Sequence, residues 1–159
     1  MSSAPAFKKL MALSERRMDI AERNLMRAVV ARDQAKEALE AAKVALERKK
    51  AEMARERVAV LDRFVGTPTR RVGVNDLLGL LKDQDGAVED AEGAVAQAET
   101  ALSDAEAHVS QMSAALRAAQ LVQQKRSSAF EPKLKEIRLN SEKAQEREAE
   151  EEFGYARRF

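Results

Sequence analysis

His108 is the only histidine in the 159-residue chain, and there is no cysteine. A nucleophilic or metal site needs converging partners: a hydroxyl or thiol beside a base, or several N, O or S ligands around one point. Without cysteine, thiolate chemistry, disulfides and cysteine-based metal sites are excluded, and a lone His108 has no second imidazole to work with. The chain holds no glycine-rich phosphate loop, no H-E-x-x-H and no nucleophile elbow. Carboxylates are plentiful, but they recur at the spacings of helix surfaces. The reading is a non-enzymatic protein with no cofactor and no metal.

What positions these residues is a seven-residue periodicity. Met11, Met18, Leu25, Arg32, Leu39, Leu46, Met53 and Val60 form one ladder, and Ala21, Ala28, Ala35 and Ala42 stand three residues after its middle rungs. Large apolar residues alternating with alanine over this length make a coiled-coil stripe with a narrow seam. Arg32 is the one polar rung, which either fixes register at a cost in stability or uses its long stem to carry the charge to the edge. From about Ala6 to Val65 there is no Pro or Gly, and strong helix formers dominate. Helix 1 is therefore expected over about 6–65, roughly 90 Å long. Gly66-Thr67-Pro68 stops it, and a turn is expected over 66–75.

Asn75 before Asp76 reads as an N-cap for helix 2, expected over about 76–152 with a kink near 127–132 at Ser127-Ser128 and Pro132. Its ladder runs Val74, Leu81, Val88, Val95, Leu102, Val109, Leu116, Gln123, Phe130 and Ile137, with Ala91, Ala98, Ala105, Met112 and Ala119 as companions. The two ladders match as an antiparallel pair: Val60 with Leu81, Met53 with Val88, Leu46 with Val95, Leu39 with Leu102 and Leu25 with Leu116 all have numbers totalling 141. The fold class is all-α, a long two-helix antiparallel coiled-coil hairpin with a C-terminal helical overhang, as a single domain over 1–159.

Charge supports that pairing. Residues 1–71 carry net +7 and residues 72–159 net −6, against +1 overall. The flank of helix 1 bears Lys36, Lys43, Lys50 and Arg57, and that of helix 2 bears Asp85, Glu92, Glu99 and Glu106. They align as Arg57–Asp85, Lys50–Glu92, Lys43–Glu99 and Lys36–Glu106, which selects one partner and one direction. The basic half is thereby matched inside the chain, which removes nucleic acid as an expected partner. No apolar run approaches the ~18 residues of a membrane span, so direct insertion is not expected.

Three features stay outside the seam. Ala31, Ala38, Ala45 and Ala59 face Ala87, Ala94, Ala101 and His108 along a smooth flank, which reads either as plain helix propensity or as a docking groove. Gly79, Gly86 and Gly93 recur on the outer face of helix 2, marking looseness or close approach of another backbone. The overhang from Lys135 holds 13 charged residues and three of the six aromatics, Phe153, Tyr155 and Phe159. It reads as a solvated tail or as a partner-binding end.

The opening Phe7-Lys8-Lys9-Leu10-Met11-Ala12-Leu13-Ser14-Glu15-Arg16-Arg17, continuing through Ala21-Glu22-Arg23-Asn24-Leu25, and the closing Glu142-Lys143-Ala144-Gln145-Glu146-Arg147-Glu148-Ala149-Glu150-Glu151-Glu152 give the chain a further likeness. With the two-helix layout, they make it resemble the FliJ/YscO family of stalk proteins from flagellar or virulence-type type III secretion systems. The resemblance implies a fold like the coiled-coil shaft of a rotary ATPase, in a cytoplasmic protein peripheral to the inner-membrane export machinery. It implies as partners a hexameric export ATPase at the open end, the cytoplasmic domain of the export gate at the hairpin tip, and secretion chaperones. Leu77, Leu78, Leu80 and Leu81, with Arg70 and Arg71, are the tip residues it points to. The rival reading is a homo-oligomeric coiled-coil scaffold or adaptor joined through the alanine flank; otherwise the chain is a monomer or weak homo-oligomer.

Overall fold

A computed structural model describes residues 3–65 and 71–157. Two helices, α1 (Ser3–Phe64) and α2 (Arg71–Arg157), pack against each other as a helical hairpin, with no strand among the described residues. The Gly66-Thr67-Pro68 stop lies outside the described residues. On its near side Val65 N–H still donates to Leu61 O at 3.2 Å, closing the final turn. Arg63 places positive charge in that turn, where the helix dipole favours it.

The limits of α2 differ from those expected. It begins at Arg71, so Asn75 and Asp76 lie inside the helix and Asn75 caps nothing. A cap is typically worth about 1 kcal/mol. One more turn adds backbone hydrogen bonds and takes in the half-buried Gly73. The helix also runs unbroken through Ser127, Ser128 and Pro132. An interior proline costs ~3 kcal/mol, but the flanking residues are pinned: the Phe130 ring lies 4.6 Å from that of Phe7, and Lys133 Nζ sits 5.1 Å from the Phe7 centroid.

The chain divides into two compact units, 1–26 with 111–159 and 27–110, where the sequence suggests one domain. In the second, Ala28, Leu39 and Met53 are buried, and Arg32, Ala35, Ala42, Leu46 and Val60 are half-buried. On α2 the ladder from Leu81 through Val88, Val95, Leu102 and Val109 is half-buried likewise. Val74, the expected first rung, is exposed. In the first unit Met11, Met18 and Leu25 on α1, and Leu116, Gln123, Phe130 and Ile137 on α2, form the half-buried line. A seam this thin leaves few side chains fully enclosed, as two helices without a third layer must.

Residues larger than alanine, most of them polar, fill the companion row at its ends. Glu56 with Gln84, Ser14 with Arg126 and Phe7 with Lys133 are in contact, and each pair of numbers totals 140. The register read from the ladders thus holds within each unit. Arg32 turns its guanidinium onto Asp33, its neighbour in sequence, at 3.1 Å, and so leaves the seam for the edge.

Candidate interaction surfaces

The second unit contains a polar network built on Gln84. Gln84 is only 7% exposed, at a companion position that is alanine in the next three heptads of α2. Its amide is used at both ends: Nε2 donates to Glu56 Oε2 at 2.9 Å, and Oε1 accepts from Arg57 Nε at 3.3 Å. Arg57 Nη2 also pairs with Asp85 Oδ1. One guanidinium thus holds two successive residues of α2, a geometry that a lysine ammonium lacks. An open cleft of about 610 Å³ runs beside it, lined by Lys50, Met53, Arg57, Asp85, Val88 and Glu92 among others.

Of the four flank pairs, only Arg57–Asp85 forms a bridge. Lys43 Nζ lies 3.6 Å from Glu40 and Lys50 Nζ 3.7 Å from Glu47, both one turn away on α1. Among the described residues no bridge joins Lys36–Glu106, Lys43–Glu99 or Lys50–Glu92. These lysines are about half exposed, and a partner on the same helix needs less ordering of a flexible stem than one across the seam. The opposed charges therefore act as a field along the flank, with one direct contact.

The leucine cluster splits by face. Leu77 and Leu81 are half-buried on the seam, while Leu78 (58%) and Leu80 (41%) are exposed. Sequence reasoning missed their counterpart on α1: Val58, Leu61 and Val65 are all more than half exposed. The signal was present as an i, i+3, i+7 spacing off the ladder, a second apolar stripe on the outer face. Arg70, the side chain of Arg71 and Phe159 lie outside the described residues.

In the first unit, residues 138–157 of α2 are exposed at every position. Phe153 and Tyr155 are among them, with Arg157 stacked 5.5 Å from the Phe153 centroid. An open hollow of about 520 Å³ is lined by Glu151, Glu152, Tyr155 and Ala156. Deeper in the unit, Ser14 (3% exposed) donates to Leu10 O at 3.0 Å and accepts from Arg126 Nη1 at 2.5 Å. Ser14 and Arg126 were invisible as a pair in the sequence, since a serine in an alanine row resembles a neutral substitution.

Along the alanine flank, Ala31, Ala38, Ala45, Ala59, Ala94, Ala101 and His108 are exposed and Ala87 is half-buried. Among the described residues no cluster of three His, Asp or Glu is placed to hold a metal ion. No described helix is long and apolar enough to cross a membrane. No known family, curated protein or solved structure matches the chain.

Proposed function

We propose that this protein is a non-enzymatic stalk component of a type III secretion export apparatus, linking a hexameric export ATPase to the export gate. The observation that carries the reading is the form of α2: an unbroken helix through Pro132 whose last stretch, 138–157, presents every residue to solvent. A bare helical stretch of this kind suits insertion into a ring, where protein partners surround it on all sides. It carries six glutamates against two basic residues between 141 and 152, so its charge favours a basic lining. The opening segment from Phe7 to Leu25 and the closing segment from Glu142 to Glu152 add the FliJ/YscO resemblance. The gate contact falls to the exposed Leu78 and Leu80, with Arg70 and Arg71 beside them in sequence. In this reading the protein works in the cytoplasm against the inner-membrane machinery, and secretion chaperones are further partners. The test is pull-down with the cognate hexameric ATPase together with its hydrolysis rate. Retention and a raised rate are expected, and absence of both overturns the reading.

A second reading has its own observation. The exposed flank of Ala31, Ala38, Ala45 and Ala59, with Ala94 and Ala101 on α2, would let two hairpins approach closely as a homo-oligomeric scaffold. Light scattering at tens of micromolar decides it, since a monomer leaves no scaffold.

A further inference from the structure

Glycine is concentrated where α2 begins. Gly73, Gly79, Gly86 and Gly93 fall within its first third, and the next glycine is Gly154. A glycine inside a helix normally answers a close approach or a left-handed backbone. Neither applies here: a Cβ at Gly79, Gly86 or Gly93 would meet nothing within 4 Å, and none of them has a positive φ. Their remaining effect is to weaken the helix, by about fivefold in equilibrium per site relative to alanine. The packing of the same stretch is thin. Leu77, Leu81 and Val88 are half-buried, Leu78 and Leu80 are exposed, and the one buried side chain described between 73 and 93 is the polar Gln84.

A segment of low helix propensity, with little apolar burial and exposed backbone hydrogen bonds, opens locally well below the free energy of global unfolding. We infer that residues 73–93 are a built-in opening segment, latched to α1 by the network of Gln84 with Glu56 and Arg57 and of Arg57 with Asp85. The latch is central to the segment and polar, with the buried Met53 of α1 beside it. Closed, the helix turns Leu77 and Leu81 into the seam and only Leu78 and Leu80 outward. Open, all four leucines become available together to a partner groove. This device rests on the glycine row and the latch, and stands whether or not the stalk reading does.

Native-state hydrogen exchange on the full-length protein, corrected for intrinsic rates, tests it. Amides from 77 to 90 are expected to exchange at least about tenfold faster than those from 98 to 109, where helix formers and the alanine row dominate. Combining Gly79→Ala, Gly86→Ala and Gly93→Ala slows exchange over 77–90 by roughly 100-fold, about fivefold per site, and leaves 98–109 unchanged. Gln84→Ala, which restores the residue found in the next three heptads, speeds exchange over 77–90 by about fivefold through loss of its two hydrogen bonds. Equal protection of both stretches in the unaltered protein, or equal slowing of both in the triple variant, overturns the opening segment. An unchanged rate in Gln84→Ala overturns the latch.

Discussion

The ring of Phe7 lies 4.6 Å from that of Phe130 with 50° between their planes, although the two residues are separated by nearly the whole hairpin. Half a heptad of stagger explains the meeting. Phe7 occupies a companion position on α1, and the ladder of α2 passes it on either side at Phe130 and Ile137. Tilted aromatic pairs of this kind contribute about 0.5–1.5 kcal/mol beyond the area they bury. A double-mutant cycle with Phe7→Leu and Phe130→Leu, followed by urea unfolding, is expected to show a coupling energy in that range. Strictly additive losses would mean that the rings merely lie close.

Lys133 above the same ring connects this pair to the proline. Pro132 is exposed, and its ring denies Ser128 O a backbone donor while the helix continues. Pro132→Ala is therefore expected to stabilise the protein by up to ~3 kcal/mol, visible as a higher melting temperature. A fall in melting temperature would mean that a bend at this point is needed for the Phe7–Phe130 contact.

The ladders explain why much of the fold was legible. Burial at every seventh residue follows from helix geometry, so the spacing of Leu39, Leu46, Leu81 and Leu102 alone marks the seam. Local rules served less well at Asn75. It is a good N-cap signal, but α2 begins one turn earlier, at Arg71, whereas Pro132 lies inside the expected helix with its neighbours Phe130 and Lys133 against Phe7. The interaction surfaces were only half readable. Leu78 and Leu80 could be placed off the seam by counting, but the joint use of Gln84 by Glu56 and Arg57 depends on rotamers that a one-letter string does not contain. What the partners are lies further still from the sequence, since alanine, leucine and glutamate on a helix surface suit many proteins.

The charged flank now makes a sharper claim than four equal bridges. Arg57 touches both Gln84 and Asp85, whereas Lys43 and Lys50 pair with Glu40 and Glu47 on their own helix. Arg57→Glu is expected to cost about 1–2 kcal/mol, because a hydrogen bond is lost and like charges then meet at Asp85. Lys43→Glu, by contrast, is expected to stay within about 0.5 kcal/mol. Adding Asp85→Arg to Arg57→Glu recovers only part of the loss, since the bond from Arg57 to Gln84 is not rebuilt. Chemical denaturation of the three variants separates these cases; a full recovery would assign the whole effect to charge and none to Gln84.

Core and surface positions on α1 differ in the same manner. Leu39 is 8% exposed, while Val44, five residues on, faces outward. Leu39→Ala is expected to cost ~2–3 kcal/mol, at the low end for a core leucine because a two-helix seam can close partly around the gap. Val44→Ala should be nearly silent, or slightly stabilising through helix propensity. Comparable losses at both positions in thermal melts would require a further chain or copy covering the outer face of α1.

Residues 138–157 offer the cleanest separation of structure from function. Every one of them is exposed, so their removal takes away helix without opening the seam. A chain ending at Ile137 is expected to lose circular-dichroism intensity in proportion to the residues removed, with the melting transition of the remainder shifted by no more than about 2 °C. If the stalk proposal holds, the same chain should also fail to bind a hexameric export ATPase or raise its hydrolysis rate, because the acidic stretch from Glu142 to Glu152 and the aromatics Phe153 and Tyr155 are gone. Binding left intact by the truncation would remove residues 138–157 from the stalk proposal as the ATPase-contacting segment. If instead the whole chain melted early, the exposed stretch would be structural, and its exposure would reflect a partner that it normally packs against.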